Sequence, residues 1–380
     1  NEVEGKSGFA HLFEHMMFQG SLNVPKEMHF RYIQEAGGTL NGSTSFDRTN
    51  YYETVPSNYL ELILWLESDR MGFFLPALTQ DKLNNQIDVV KNERLQRYDN
   101  QPYGLAFEKL LSNLFPQNHP YSNPTIGWMD DILNIKLDEV KSFFSQYYSP
   151  SNAILTIAGD FDRDNSKKLV DKYFGGIPRS GNPLPVLNSF AGLDENKFIT
   201  YEDNVQLERI YFAWKTEKAF TENDSMYDVF SDLLTGSKNG RLYKSLVYEK
   251  EIAQDVSSFQ YSGKYDGMFI IIATAKPGFT LDAIKEIIFS EINEIILNGI
   301  NEEELIRSKN GIKSAFIYSM QNITSLANHI NHYNFYIGEP DSFEFDLSRY
   351  QSVNVDDIKN IADTILNKNY VELRIIPKKI

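Results

Sequence analysis

The sequence predicts an α+β protein made of two homologous α/β units, each a mixed or antiparallel sheet with helices packed on one face. Three observations predict it. Helical-period and alternating segments interleave along the whole chain. The stretch LDEVKSFFSQYYSPSNAILTIAGD (137–160) matches VDDIKNIADTILNKNYVELRIIPK (355–378) as a capped helix, a short break and a strand. LTQDKLNNQIDVV (78–90) likewise matches INEEELIRSKNGI (300–312), as an internal repeat should. Gly, Pro and Ser are dense across 175–197, so the expected domains are 1–180, a linker at 181–197, and 198–380.

The elements follow in order. SGFAHLFEHMMFQGS (7–21) reads as a helix with Phe9, Leu12, Phe13, Met16 and Met17 on one stripe, Ser7 as N-cap and Gly20 as stop. MHFRYIQEAG (28–37) is a second helix. Residues 39–56, rich in Thr and Tyr and alternating, predict a strand or hairpin. Residues 58–75 are helical, and 79–98 form a long helix opened by Thr79. A helix at 137–148 precedes NAILTIAGDF (152–161), whose apolar run predicts a buried strand. Beyond the linker come a strand at 205–216, a helix, and a hairpin over 255–276. The second unit thus has a strand before its first helix. The first has none before His11, and NEVEG (1–5) reads as the exit from one, so a truncated or processed N-terminus is expected.

Composition limits the chemistry. A formal charge of −15 argues against nucleic acid or an anionic membrane as partner. With no cysteine, disulfides, thiolate metal sites and cysteine nucleophiles are excluded, and any metal must use His, Asp or Glu. No apolar run is long enough for a membrane span.

The chemistry-bearing motif is AHLFEHMMF (10–18). His11 and His15 are four apart, so on a helix both project from one face and can bind one ion. Glu14 lies on that face without being required as a ligand, which suits a general base acting on water. The order His-x-x-Glu-His is the inverse of the commoner zinc motif. A third ligand is needed. His29, His119, His329 and His332 qualify by type, but no motif places any of them; Glu93, in VVKNERLQRYDNQPYG (89–104), would complete a two-histidine, one-carboxylate site. His119, in HPYSNP, reads more simply as a loop histidine, and Tyr121 and Trp128 as packing residues.

Four segments together, GFAHLFEHMMFQGS, GGTLNGSTSFDRTNYYETVP, VVKNERLQRYDNQPYG and HPYSNPTIGWMDDI, resemble the pitrilysin/insulinase family of inverted-motif zinc metallopeptidases, in particular the zinc-bearing, processing-peptidase beta type. The resemblance implies a zinc-dependent endopeptidase, subunit or half, with Zn2+ held by His11, His15 and Glu93 and with Glu14 as catalytic base. It implies that LNGSTSF (40–46) is an edge strand on which an extended peptide pairs, with Asn41 near the scissile bond and Gly42 and Ser43 allowing close approach. Some relatives carry a second acidic residue seven positions before the third ligand; here it is Gln86. Relatives of this type are often exported in bacteria, so a periplasmic or otherwise exported location is expected.

Two departures shape the reading. At the repeat offset Glu93 corresponds to Ala315, and no His-x-x-Glu-His follows residue 200, so the second unit is a metal-free copy. The family often supplies an Arg and a Tyr, seven apart, from such a unit. In LVYEKEIAQ (246–254) those places hold Val247 and Gln254, while Arg241 and Tyr243 are out of register. The resemblance therefore implies a partner subunit or C-terminal half that bears the Arg/Tyr pair and closes a chamber around a peptide substrate. The alternative is a non-catalytic structural or assembly subunit of a larger peptidase-like complex. A plain zinc-binding regulatory module leaves Glu14 and the duplicated architecture unexplained.

Overall fold

The computed structural model describes residues 2–179 and 190–378. Most of the expected linker, 181–189, lies outside them. The helices are α1 (Phe9–Met16), α2 (Met28–Glu35), α3 (Leu60–Phe73), α4 (Gln80–Arg94), α5 (Ala106–Leu114), α6 (Met129–Leu133), α7 (Leu137–Tyr147), α8 (Arg163–Phe174), α9 (Asp224–Thr235), α10 (Leu281–Asn298), α11 (Glu302–Ser319), α12 (Ile323–Tyr336), α13 (Phe343–Ser352) and α14 (Val355–Asn367). The strands are β1 (Thr39–Thr44), β2 (Thr49–Thr54), β3 (Lys197–Asp203), β4 (Arg209–Thr216), β5 (Ala253–Ser262), β6 (Gly267–Ala275) and β7 (Tyr370–Pro377). They form two compact units that interleave in sequence: residues 1–99, 123–187 and 322–331 in one, and 100–122, 188–321 and 332–380 in the other.

In the first unit β1 and β2 make the expected antiparallel hairpin, with Asn41 opposite Tyr52 and Gly42 opposite Tyr51. Helix α1 forms because one stripe of it is apolar: Phe9, Leu12, Phe13 and Met16 are buried. Phe13 packs against Phe74, Phe143, Phe144 and Tyr148. Each fully buried side chain of this size contributes ~1.5–3 kcal/mol. Together with Leu83 and Val90 of α4 and Val140 and Phe144 of α7, these residues form one core.

Two segments differ from expectation. Ser7 does not cap α1. Its hydroxyl donates to Asp131 Oδ2 at 2.6 Å and accepts from the Trp128 amide at 2.8 Å. Gly8 takes the cap position at φ 83°, where a Cβ would lie 2.5 Å from the Ile126 carbonyl oxygen. The exposed amides of that helix end are met by the Glu2 carboxylate, which accepts from Gly8 N at 3.0 Å and Ala10 N at 2.8 Å. The helix also stops at Met16, ahead of Gly20.

The second change concerns 152–161, which is not a buried strand. Residues 153–158 have no strand partner among the described residues, and Ile154 and Leu155 are 41% and 48% exposed. The apolar run satisfies the strand pattern, but a strand also needs a neighbour to complete its hydrogen-bond ladder. Its repeat counterpart, β7, has two such neighbours.

In the second unit a five-stranded sheet runs β3-β7-β4-β6-β5. β3 pairs with β7 in parallel and the other pairs are antiparallel, so the sheet is mixed, as predicted. On one face Phe212 and Trp214 of β4 join a core with Phe230 of α9, Ile284 and Ile288 of α10, and Ile358 and Ile365 of α14. On the other, Phe107 of α5 packs edge-on against Tyr211 and lies beside Phe259. Cover on both faces explains why β4 reads as a continuous apolar run and does not alternate.

Candidate metal and catalytic site

The site lies wholly in the first unit. Burying the apolar stripe of α1 turns the opposite side of that helix, with His11, Glu14 and His15, towards partly open space. Helix α4 supplies the facing side chain. Thr79 caps it by accepting from Lys82 N at 3.3 Å, and Leu83, Gln86, Val90 and Arg94 form its buried face. Arg94 anchors its end by donating to the Gly127 carbonyl at 2.8 Å, where the helix widens into a π-type turn over Leu95–Asp99. Glu93 thereby points at α1.

Its Oε2 lies 3.2 Å from His15 Nε2 and 3.7 Å from His11 Nε2. Ligands held at 2.0–2.1 Å around one tetrahedral ion are separated by about 3.3–3.4 Å; the two Glu93 separations lie close to that, and all three donor atoms lie within 4.8 Å of one another. Their side chains are 14–25% exposed, recessed but open to solvent. Burial and the neighbouring His15 push His11 down to about 4, so its imidazole is neutral, as a ligand must be. The hydrogen bond from His15 holds the Glu93 carboxyl below its usual range. Arg97, one turn on, donates to Glu93 Oε1 at 2.9 Å and leaves Oε2 facing the histidines. His11 Nδ1 is buried without a hydrogen-bond partner.

Glu14 is held from the other side by β1. Thr44 Oγ1 donates to Glu14 Oε2 at 2.6 Å. At Gly42 a Cβ would sit 2.7 Å from Glu14 Oε1 and 2.9 Å from its Cγ, so the carboxylate packs directly on the strand backbone. Burial raises the Glu14 carboxyl and the Thr44 hydroxyl opposes the shift. Gly42 and Thr44 share one face of β1 by the strand period, with Asn41 and Ser43 on the other. Asn41 is exposed, and its Oδ1 accepts from the Gly42 amide at 2.9 Å. Among the described residues β1 pairs only with β2, so its second edge carries no strand.

Sequence reasoning missed Thr44 and Arg97. The period of two from Gly42 was a signal for the first, and the i, i+4 spacing from Glu93 for the second.

The other histidines are elsewhere. His119 is fully buried in the second unit, 2.8 Å from Asp266 and accepting from Tyr121 N. His332 packs against Phe220 and Tyr336. His29 is buried beside Glu53 and Glu67. Tyr121 is buried, as expected. Arg241, near the expected arginine place but out of register, pairs with Glu304 at 2.9 Å.

The fold is that of a peptidase-type α+β protein. Residues 1–127 match the family model described as Insulinase (Peptidase family M16), and residues 134–312 that of the Peptidase M16 inactive domain. The chain belongs to peptidase family M16, the insulinase or pitrilysin family. The zinc protease PqqE of Helicobacter pylori is 30% identical over 331 residues, covering 86% of this chain and 74% of the relative. The probable mitochondrial-processing peptidase subunit beta of Arabidopsis thaliana is 22% identical over 374 residues, 95% of this chain and 69% of that one. The crystal structure of a protease from Helicobacter pylori matches with TM-score 0.90 at 26% identity, over 99% of this chain and 91% of that chain. No described helix is long and apolar enough to cross a membrane.

Proposed function

We propose that the chain is a zinc-dependent endopeptidase, as a subunit or half of a two-part enzyme, with His11, His15 and Glu93 as zinc ligands and Glu14 as the general base. The supporting observation is the convergence of His11 Nε2, His15 Nε2 and Glu93 Oε2 beside a carboxylate that is not one of them. Zinc, when bound there, supplies a Lewis acid and lowers the pKa of a water towards ~7. Glu14 takes the proton of the attacking water and delivers it to the leaving amine. Thr44 fixes which carboxylate oxygen faces that water, by holding Oε2. Substrate is an extended peptide adding to the open edge of β1, with Asn41, Gly42 and Ser43 beside it.

Val247 and Gln254 stand where an Arg/Tyr pair would be needed, so full activity requires a partner half that carries that pair. The same two residues favour the second reading, a non-catalytic assembly subunit. Elemental zinc and cleavage of a quenched fluorescent peptide library separate the two, measured for the wild type and Glu14→Gln with and without an Arg/Tyr-bearing partner. The peptidase reading expects equal zinc in both proteins and cleavage lost only in Glu14→Gln. Stoichiometric zinc with no cleavage under any pairing supports the assembly subunit, and absence of zinc overturns both assignments of the site.

A further inference from the structure

The first unit holds a second convergence of ligand-type atoms. His29 of α2, Glu53 of β2 and Glu67 of α3 meet with their donor atoms within 4.8 Å of one another. His29 is 3% exposed, and its Nε2 has no hydrogen-bond partner. That nitrogen lies 3.6 Å from Glu53 Oε1 and 3.6 Å from Glu67 Oε1, and the latter oxygen is itself buried without a hydrogen-bond partner. Two orphaned polar atoms facing each other at 3.6 Å are too far apart to bond directly. They are close to the separation of two ligands around one tetrahedral ion, about 3.3–3.4 Å.

We infer that His29, Glu53 and Glu67 form a second divalent-metal site, structural in character and of zinc type. The charges suit one. Arg70 donates to Glu67 Oε2 at 2.5 Å and lies 3.5 Å from Glu53 Oε1, so it balances one of the two carboxylates and orients Glu67 with Oε1 free. Burial and Arg70 push His29 down to about 4, which keeps its imidazole neutral. The walls are apolar: Phe18 packs edge-on against His29, and the Arg70 guanidinium lies over the rings of Tyr51 and Phe18. Glu67, 21% exposed, gives the ion its way in. The ion ties α2, β2 and α3 together behind the hairpin whose other strand carries Asn41, Gly42 and Thr44. The competing arrangement is a proton shared between the Glu53 and Glu67 carboxyls.

The test needs no activity and does not depend on the first site. The full chain carrying His11→Ala and His15→Ala is stripped with chelator, given Zn2+, cleared of excess and analysed for zinc. One equivalent is expected, with a zinc-dependent rise in the thermal midpoint. Adding His29→Gln should bring the count to zero. Glu67→Gln, nearly isosteric, should do the same if the His29 variant fails to fold by circular dichroism. A zinc count of zero in the His11→Ala/His15→Ala chain overturns the proposal. So does an equivalent that survives both His29→Gln and Glu67→Gln.

Discussion

Gly42→Ala isolates the contact between strand β1 and the proposed base. Gly42 sits in ordinary strand backbone, so alanine meets no conformational barrier there. Its Cβ would lie 2.7 Å from Glu14 Oε1, against about 3.4–4 Å for an ordinary contact. The carboxylate must therefore give way by about 1 Å. The 2.6 Å hydrogen bond from Thr44 resists that movement. Glu14 ends a flexible side chain, so the fold itself bears little cost, and removing a glycine from the unfolded chain returns ~0.4–1 kcal/mol. A base displaced by about 1 Å can lose on the order of 10²-fold in rate, or ~2.7 kcal/mol. With the Arg/Tyr-bearing partner present for both proteins, the expected result is a kcat near one hundredth of wild type on a quenched peptide, with zinc content unchanged and a thermal midpoint within a few degrees. A kcat within about threefold of wild type, in a folded and zinc-loaded protein, would refute the role given to the Gly42–Glu14 contact. Loss of zinc together with kcat would show instead that the strand had moved α1.

Two further outcomes test the fold. Leu12, 1% exposed in the core beneath the site, should cost ~2–5 kcal/mol as Leu12→Ala, read as a lower urea midpoint at unchanged slope. Asp228 of α9, bonded by the Tyr350 hydroxyl at 2.9 Å, is pushed up to about 7 by burial and by Asp224, with Arg349 opposing and Asp346 adding to the rise. Between pH ~4 and ~7 the folded chain then holds a proton that the unfolded chain has released, so stability falls as pH rises through that window. The fall amounts to at most about 4 kcal/mol, and urea unfolding of Asp228→Asn in chelator should show it flattened while the wild type keeps it.

The parts of this molecule that the sequence displays are those whose geometry is local. A histidine pair four apart, with a glutamate between, needs only one turn of helix to share a face, so His11, Glu14 and His15 are legible as a group from spacing alone. Thr79 caps α4 for the same reason: donor and acceptor are three residues apart. Ser7 misled because Asp131 and Trp128, more than a hundred residues on, compete for its hydroxyl. The run at 152–161 misled because apolar composition specifies a tendency to be covered, whereas a strand is a pairing that one segment cannot make alone. Glu93 took a family resemblance to single out, since nothing in its own helix marks it as facing α1.

The same distinction bears on the second proposed ion site. His29, Glu53 and Glu67 come from a helix, a strand and another helix, with spacings of no recognisable motif. Glu53 and Glu67 read as ordinary polar residues, and His29 qualifies as a ligand by residue type alone. Only folding shows that α2 and α3 both turn a polar side chain towards the covered face of β2, and that Arg70 leaves two of their atoms unbonded. An unbonded buried nitrogen costs ~1–3 kcal/mol wherever it stands. A shared carboxyl proton would relieve the two glutamates and leave His29 Nε2 as it is, whereas a cation relieves all three at once. That difference is why the histidine, and not the acidic pair, decides between the two arrangements, and why His29→Gln is the substitution that matters.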